Sequence, residues 1–123
     1  MFSFFRKKKI EPTYEQQKWN QLCNLYCNGL EELNKDMYIL FEYDNGINGE
    51  GHSCFFSNNE EELHEYADSL KKTLPPKLFD SFIKAYNSYN TDNEVEACDA
   101  ADDYFNDHEQ EIIEILQGYA NSL

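Results

Sequence analysis

The sequence predicts an all-α fold, a single compact domain of about five to seven helices behind a mobile amino-terminal tail, and three observations carry that expectation. Apolar residues recur at three- and four-residue steps through most of residues 12–123. No stretch keeps up the period-two alternation of a half-buried strand, and helix stop and start residues stand between the periodic runs. The size agrees: 123 residues suffice for one domain with a real core and are too few to expect two. A hydrophobic content of 41 %, with nine Phe, nine Tyr and one Trp, supplies a packed interior despite a net charge of −14.

Residues 1–11 read as a flexible basic and aromatic tail, and residues 12–123 as an acidic all-α domain. Phe2, Phe4 and Phe5 beside Arg6, Lys7, Lys8 and Lys9 give the tail the composition of a weak contact with an anionic bilayer. Thr13 and Gln16 form a capping-box pattern for a first helix, whose buried stripe is Trp19, Leu22, Cys23, Tyr26, Cys27, Leu30 and Leu33; Gly29 ends or kinks it. Asn34 caps a second helix through Met37, Tyr38, Leu40, Phe41 and Tyr43. Asp44-Asn45-Gly46 and Asn48-Gly49-Glu50-Gly51 are expected to stop it, and Cys54-Phe55-Phe56 to form a short helical plug in the core. Asn59 with Glu62 predicts another capping box, opening a helix over 60–74 whose stripe is Leu63, Tyr66, Ala67, Leu70 and Leu74. Pro75-Pro76 forces a break, and a further helix follows with Leu78, Phe79, Phe82, Ile83, Tyr86 and Tyr89 inward.

The most unusual stretch is Asp92 to Glu114, with ten carboxylates and no Lys or Arg. If mostly helical, it spreads them over ~34 Å, about one per 3.4 Å, near the axial spacing of phosphates along one DNA strand. The pattern predicts one helix over about 94–106, burying Cys98, Ala101 and Phe105 with Glu96, Asp99 and Asp103 opposite. A last helix, capped by Asp107 with Gln110, turns Ile112, Ile113, Ile115, Leu116 and Tyr119 inward and Glu111 and Glu114 outward. Without residues 1–10 the chain carries 24 acids against six bases, a formal −18. Such a surface repels nucleic acid and attracts basic proteins. No partner pattern specifies the oligomeric state, and monomer and homodimer both fit.

Four cysteines (Cys23, Cys27, Cys54, Cys98) without a signal-peptide layout read as reduced, core or near-core thiols and point to the cytoplasm. No cofactor or metal is expected. The glycine loop lacks the GxxxxGK[ST] pattern, and His52, Cys54 and His64 match no common metal spacing. His52, His64 and His108 are the candidates for general acid–base chemistry, but no nucleophile motif accompanies them, and the expectation is that the protein is not an enzyme.

Two stretches bring a resemblance. Asn48-Gly49-Glu50-Gly51-His52-Ser53-Cys54-Phe55-Phe56-Ser57-Asn58 resembles the Asn-Gly-Gly-aromatic-x-Gln-Phe-Phe-x-Asn signature of a bacterial family of small acidic all-α domains that contains DNA-mimic proteins. It departs by an inserted Glu50 and by Cys54 in place of Gln. Residues 99–123, with Asp102-Asp103-Tyr104-Phe105 before an amphipathic helix, are similar to that family's carboxyl-terminal end, and the likeness spans roughly residues 14–123. It implies a non-catalytic module that occupies the DNA-binding surface of a basic partner such as a transcription regulator. Glu96, Asp99, Asp102, Asp103, Glu111 and Glu114 are the expected contacts. The alternative is an immunity-type or adaptor protein that binds and inhibits a toxin or enzyme, where surface shape matters more than charge spacing.

Overall fold

A computed structural model describes residues 11–123, except the side chain of Leu30, so the tail expected over 1–11 lies, apart from Glu11, outside the described residues. Five helices follow in order: α1 (Tyr14–Asn28), α2 (Lys35–Asn58), α3 (Leu63–Thr73), α4 (Pro76–Ser88) and α5 (Glu94–Asn121). Short 3-10 turns at Leu30–Glu32 and Glu60–Glu62 complete the described residues, which contain no strand. The axis of the bundle is α5, against which α1, α2 and α4 pack, while α3 closes over α2 and α4.

Local signals set most of the helix ends. The Thr13–Gln16 capping box forms in both directions, which is worth about 1 kcal/mol. Gly29 ends α1 at φ 107°, a value favouring glycine, and donates to the Tyr26 carbonyl. The Asn34 side chain accepts from the backbone N–H groups of Asp36 and Met37, and Pro75-Pro76 separates α3 from α4. The stripe of α3 is buried as expected at Leu63, Tyr66, Ala67, Leu70 and Leu74.

Tyr43 stands at the centre of the core. Its ring meets Phe55, Phe82 and Phe105 edge to face, with centroids 5.6, 5.5 and 5.8 Å away, so α2, α4 and α5 share one aromatic cluster. Leu22, Leu40, Leu70, Ile112 and Leu116, all fully buried, belong to the same core.

Four expectations are corrected. The glycine-rich stretch stops the helix later than expected, at its last residue, and a second helical stretch follows the kink. The helix passes through Gly46 and Gly49, and only Gly51 leaves helical geometry, at φ 78° and ψ 173°. Gly46 serves close approach instead, since a Cβ there would run into the Phe55 ring. The Asn59–Glu62 capping box does not form: the Asn59 amide donates to the Phe55 carbonyl, 2.8 Å away, and α3 begins at Leu63. Asp107 caps nothing, because α5 is a single 28-residue helix. Mid-helix Asn106 and Asp107 cost only tenths of a kcal/mol each in propensity, which burial of Phe105, Ile112 and Leu116 on either side outweighs. Finally, Cys98 is buried and Cys23 half-buried, but Cys27 and Cys54 are exposed rather than core residues.

Candidate functional site

Because α5 is continuous, its acids sort by helical phase into two sets. Glu96, Asp99, Asp103, Asp107, Glu111 and Glu114 follow one another at three- and four-residue steps, which keeps them within ~60° of one line along the helix. All six are exposed, and among the described residues none accepts a hydrogen bond or joins an ion pair. The row runs ~27 Å at one carboxylate per ~5.4 Å, sparser than the ~3.4 Å axial phosphate spacing of a DNA strand. The expected density of ten charges over the whole segment is thus divided between faces. Five of the six sequence-predicted contact residues lie in this row, and Asp107 joins them.

The sixth, Asp102, belongs to the other set. Glu94, Asp102 and Glu109 recur at steps of eight and seven and face α2, where each meets a polar group. Glu94 accepts from Ser53 Oγ and from the Asn90 backbone N–H, Glu109 accepts from Asn48 Nδ2, and Asp102 holds His52. The side chain of Asp102 is 33 % exposed, so its carboxylate is engaged inside the bundle more than offered outside it.

The His52 site explains Gly51. By turning out of helical geometry there, the chain restarts its helix with the His52 N–H aimed at Asp102 Oδ1, 2.8 Å away; Asp102 therefore caps this second stretch from a different helix. The same oxygen lies 2.7 Å from His52 Nδ1. Since an ionised carboxylate only accepts, Nδ1 carries the proton, and Nε2 accepts from the Tyr43 hydroxyl at 2.6 Å. Burial lowers the His52 pKa from the ordinary 6.5, with Asp102 opposing, and burial with the Asp102 and Asp44 charges pushes the Tyr43 phenol well above its usual range. Tyr43 and His52 are each 1 % exposed, so this chain of hydrogen bonds meets solvent only at its Asp102 end.

Directly after Tyr43 on α2, Asp44 is buried at 6 % exposure. Burial and the neighbouring Glu109 carboxyl push its pKa up to about 8. The remaining histidines occupy different settings: His64 is exposed, 3.7 Å from Asp68, and His108 stacks on Tyr104 with centroids 4.0 Å apart. Among the described residues no group of three or more His, Cys, Asp or Glu side chains is gathered as metal ligands, and no helix is long and apolar enough to cross a membrane.

Sequence reasoning missed the His52–Asp102 and Asp44–Glu109 pairs. The available signal was an acid, Asp44, directly after the apolar run of α2, and a histidine directly after a glycine. Comparison of the chain with protein-family models, with curated proteins and with solved structures finds no match.

Proposed function

We propose that the protein is a non-catalytic acidic binding module whose α5 row occupies the nucleic-acid-binding surface of a basic partner, such as a transcription regulator. The observation that carries this reading is the row itself. Six carboxylates lie on one exposed helix face without protein partners among the described residues, and no Lys or Arg occurs between residues 85 and 123. Carboxylates left without a cationic partner in this way keep their charge uncompensated, so they attract a basic surface and raise its association rate at low salt. The acids that α2 already holds, Asp102 among them, position α5 and contribute less to that field. In this reading Glu96, Asp99, Asp103, Glu111 and Glu114, with Asp107, stand where phosphates would. The resemblance of residues 48–58 to a DNA-mimic family adds to it.

The ~5.4 Å spacing favours a second reading, an immunity-type or adaptor protein that inhibits a toxin or enzyme, because a sparse row copies a phosphate strand less closely than it complements a basic patch. Co-purification with mass spectrometry separates the two: a regulator supports the first and a nuclease or other toxin the second. With the partner in hand, Glu96→Gln/Asp99→Asn/Asp103→Asn tests the face. The triple variant should keep its stability within about 0.5 kcal/mol per site. Its association should slow and the salt dependence flatten. A well-folded triple variant with unchanged affinity and salt slope would remove this face from the interface.

A further inference from the structure

Where α2 meets α5, two carboxyl groups come together. Asp44 is 6 % exposed, and one of its oxygens, Oδ1, is buried without a hydrogen-bond partner. Glu109 approaches it from α5, the Asn48 side-chain amide standing between the two carboxyl groups. Asn48, one turn along α2, donates to Glu109 Oε2 and to the Asp44 carbonyl at 3.1 Å, and its Nδ2 stands 3.5 Å from Asp44 Oδ2. Among the described residues neither acid is paired with Lys, Arg or His. A buried carboxylate facing a second carboxylate loses hydration and gains repulsion, so the arrangement calls for a proton or a cation between the two.

We propose that Asp44, Glu109 and Asn48 form a binding site for a hard divalent cation, calcium in preference, that ties α2 to α5. All three side chains offer oxygen: both oxygens of a carboxylate bind one calcium ion together, and the Asn48 amide, turned over by 180°, presents its carbonyl in place of its NH2. Asn48 is exposed and Glu109 half-exposed, which leaves an open side for entry and for water to complete the shell. Calcium accepts such an irregular set, whereas magnesium demands a near-ideal octahedron and zinc prefers nitrogen and sulfur. With three protein side chains the affinity belongs in the weak range of calcium sites, on the order of 10⁻⁴ to 10⁻³ M.

The test is calorimetric titration of the full chain with CaCl2, paired with thermal melts in CaCl2 and in NaCl of equal ionic strength. The NaCl arm is essential, because screening alone stabilises so acidic a protein. The expected result is saturable binding of one ion per chain and a melting temperature above that of the NaCl control. Asp44→Asn and Glu109→Gln, each checked for helicity, should weaken binding at least tenfold, and Glu61→Gln, an exposed acid elsewhere, should leave it unchanged. Melts that coincide in the two salts without a saturable isotherm would overturn the site in favour of a proton shared between the carboxyl groups. Binding that survives both Asp44→Asn and Glu109→Gln would overturn it in favour of diffuse attraction to the α5 row.

Discussion

Gly51→Ala separates backbone geometry from composition in the glycine-rich stretch. The residue sits at φ 78° and ψ 173°, a region that side-chain-bearing residues avoid at on the order of 1–3 kcal/mol. A Cβ there would also stand 2.8 Å from Asp102 Oδ2, so the carboxylate has to move away from the two N–H groups of His52 that it holds. Hydrogen bonds to a charged group are worth ~1.5–3 kcal/mol each, and partial loss of the pair brings the total to about 3–5 kcal/mol. In a domain of this size that lowers the melting temperature by on the order of 10–20 °C. Gly49→Ala, two residues earlier, supplies the control: its Cβ meets nothing within 4 Å in a helical backbone, so it should gain about 0.5–1 kcal/mol. Urea unfolding of both variants measures the difference. A double-mutant cycle with Asp102→Ala then isolates the clash, because with the carboxylate gone Gly51→Ala should retain only the backbone strain. If Gly51→Ala and Gly49→Ala shift the midpoint alike, the trans-helix cap is not what glycine serves here.

His52 should stay neutral below its ordinary pKa of 6.5, visible as a ring resonance that titrates late. Its folded pKa is lowered, so its contribution to stability is full above about pH 6.5 and is lost as pH falls through the folded value, by up to ~1.4 kcal/mol per pH unit. Asp44, with its raised pKa, works in the opposite sense between about pH 4 and 8, so the His52 effect is best read as a falling unfolding midpoint in an Asp44→Asn background. Added NaCl should raise the melting temperature from low to physiological ionic strength, since −14 on one small domain repels itself; a steady fall would contradict this. Exposed Cys27 and Cys54 should react with a thiol reagent in the native protein and Cys98 only on unfolding, because burial first, then Glu94, Asp102 and Asp99, push the Cys98 thiol up to about 11. Mass spectrometry of the labelled chain counts them.

What the sequence made legible follows from which forces are local. Thr13, Asn34 and Pro75-Pro76 act on neighbours a few residues away, and the stripe of α3 is a simple period, so those features could be read directly. Gly46 and Gly49 read as turn residues because glycine's usual role is conformational. Here tertiary packing against Phe55 decides at Gly46, and that ring position exists only once the chain has turned through the kink at Gly51. Asp107 carries a good capping side chain, but the apolar residues on both sides of it share one buried face of α5. The outward acids followed from helical phase. The inward ones did not, since what distinguishes Asp102 from Asp103 is His52, 50 residues earlier in the chain.

That separation has a consequence for how the chain assembles. The helical stretch after Gly51 takes its start signal from a carboxylate that arrives with the last helix, so residues 52–58 cannot settle early from neighbouring residues alone. They and α5 should open and close as one unit, joined by a contact of long sequence separation that slows folding relative to a bundle of self-capped helices. In native-state hydrogen exchange the amides of Phe55 and Phe56 are therefore expected to share the protection of Phe105 and Ile112, and to lose it together when Asp102 is replaced by Ala.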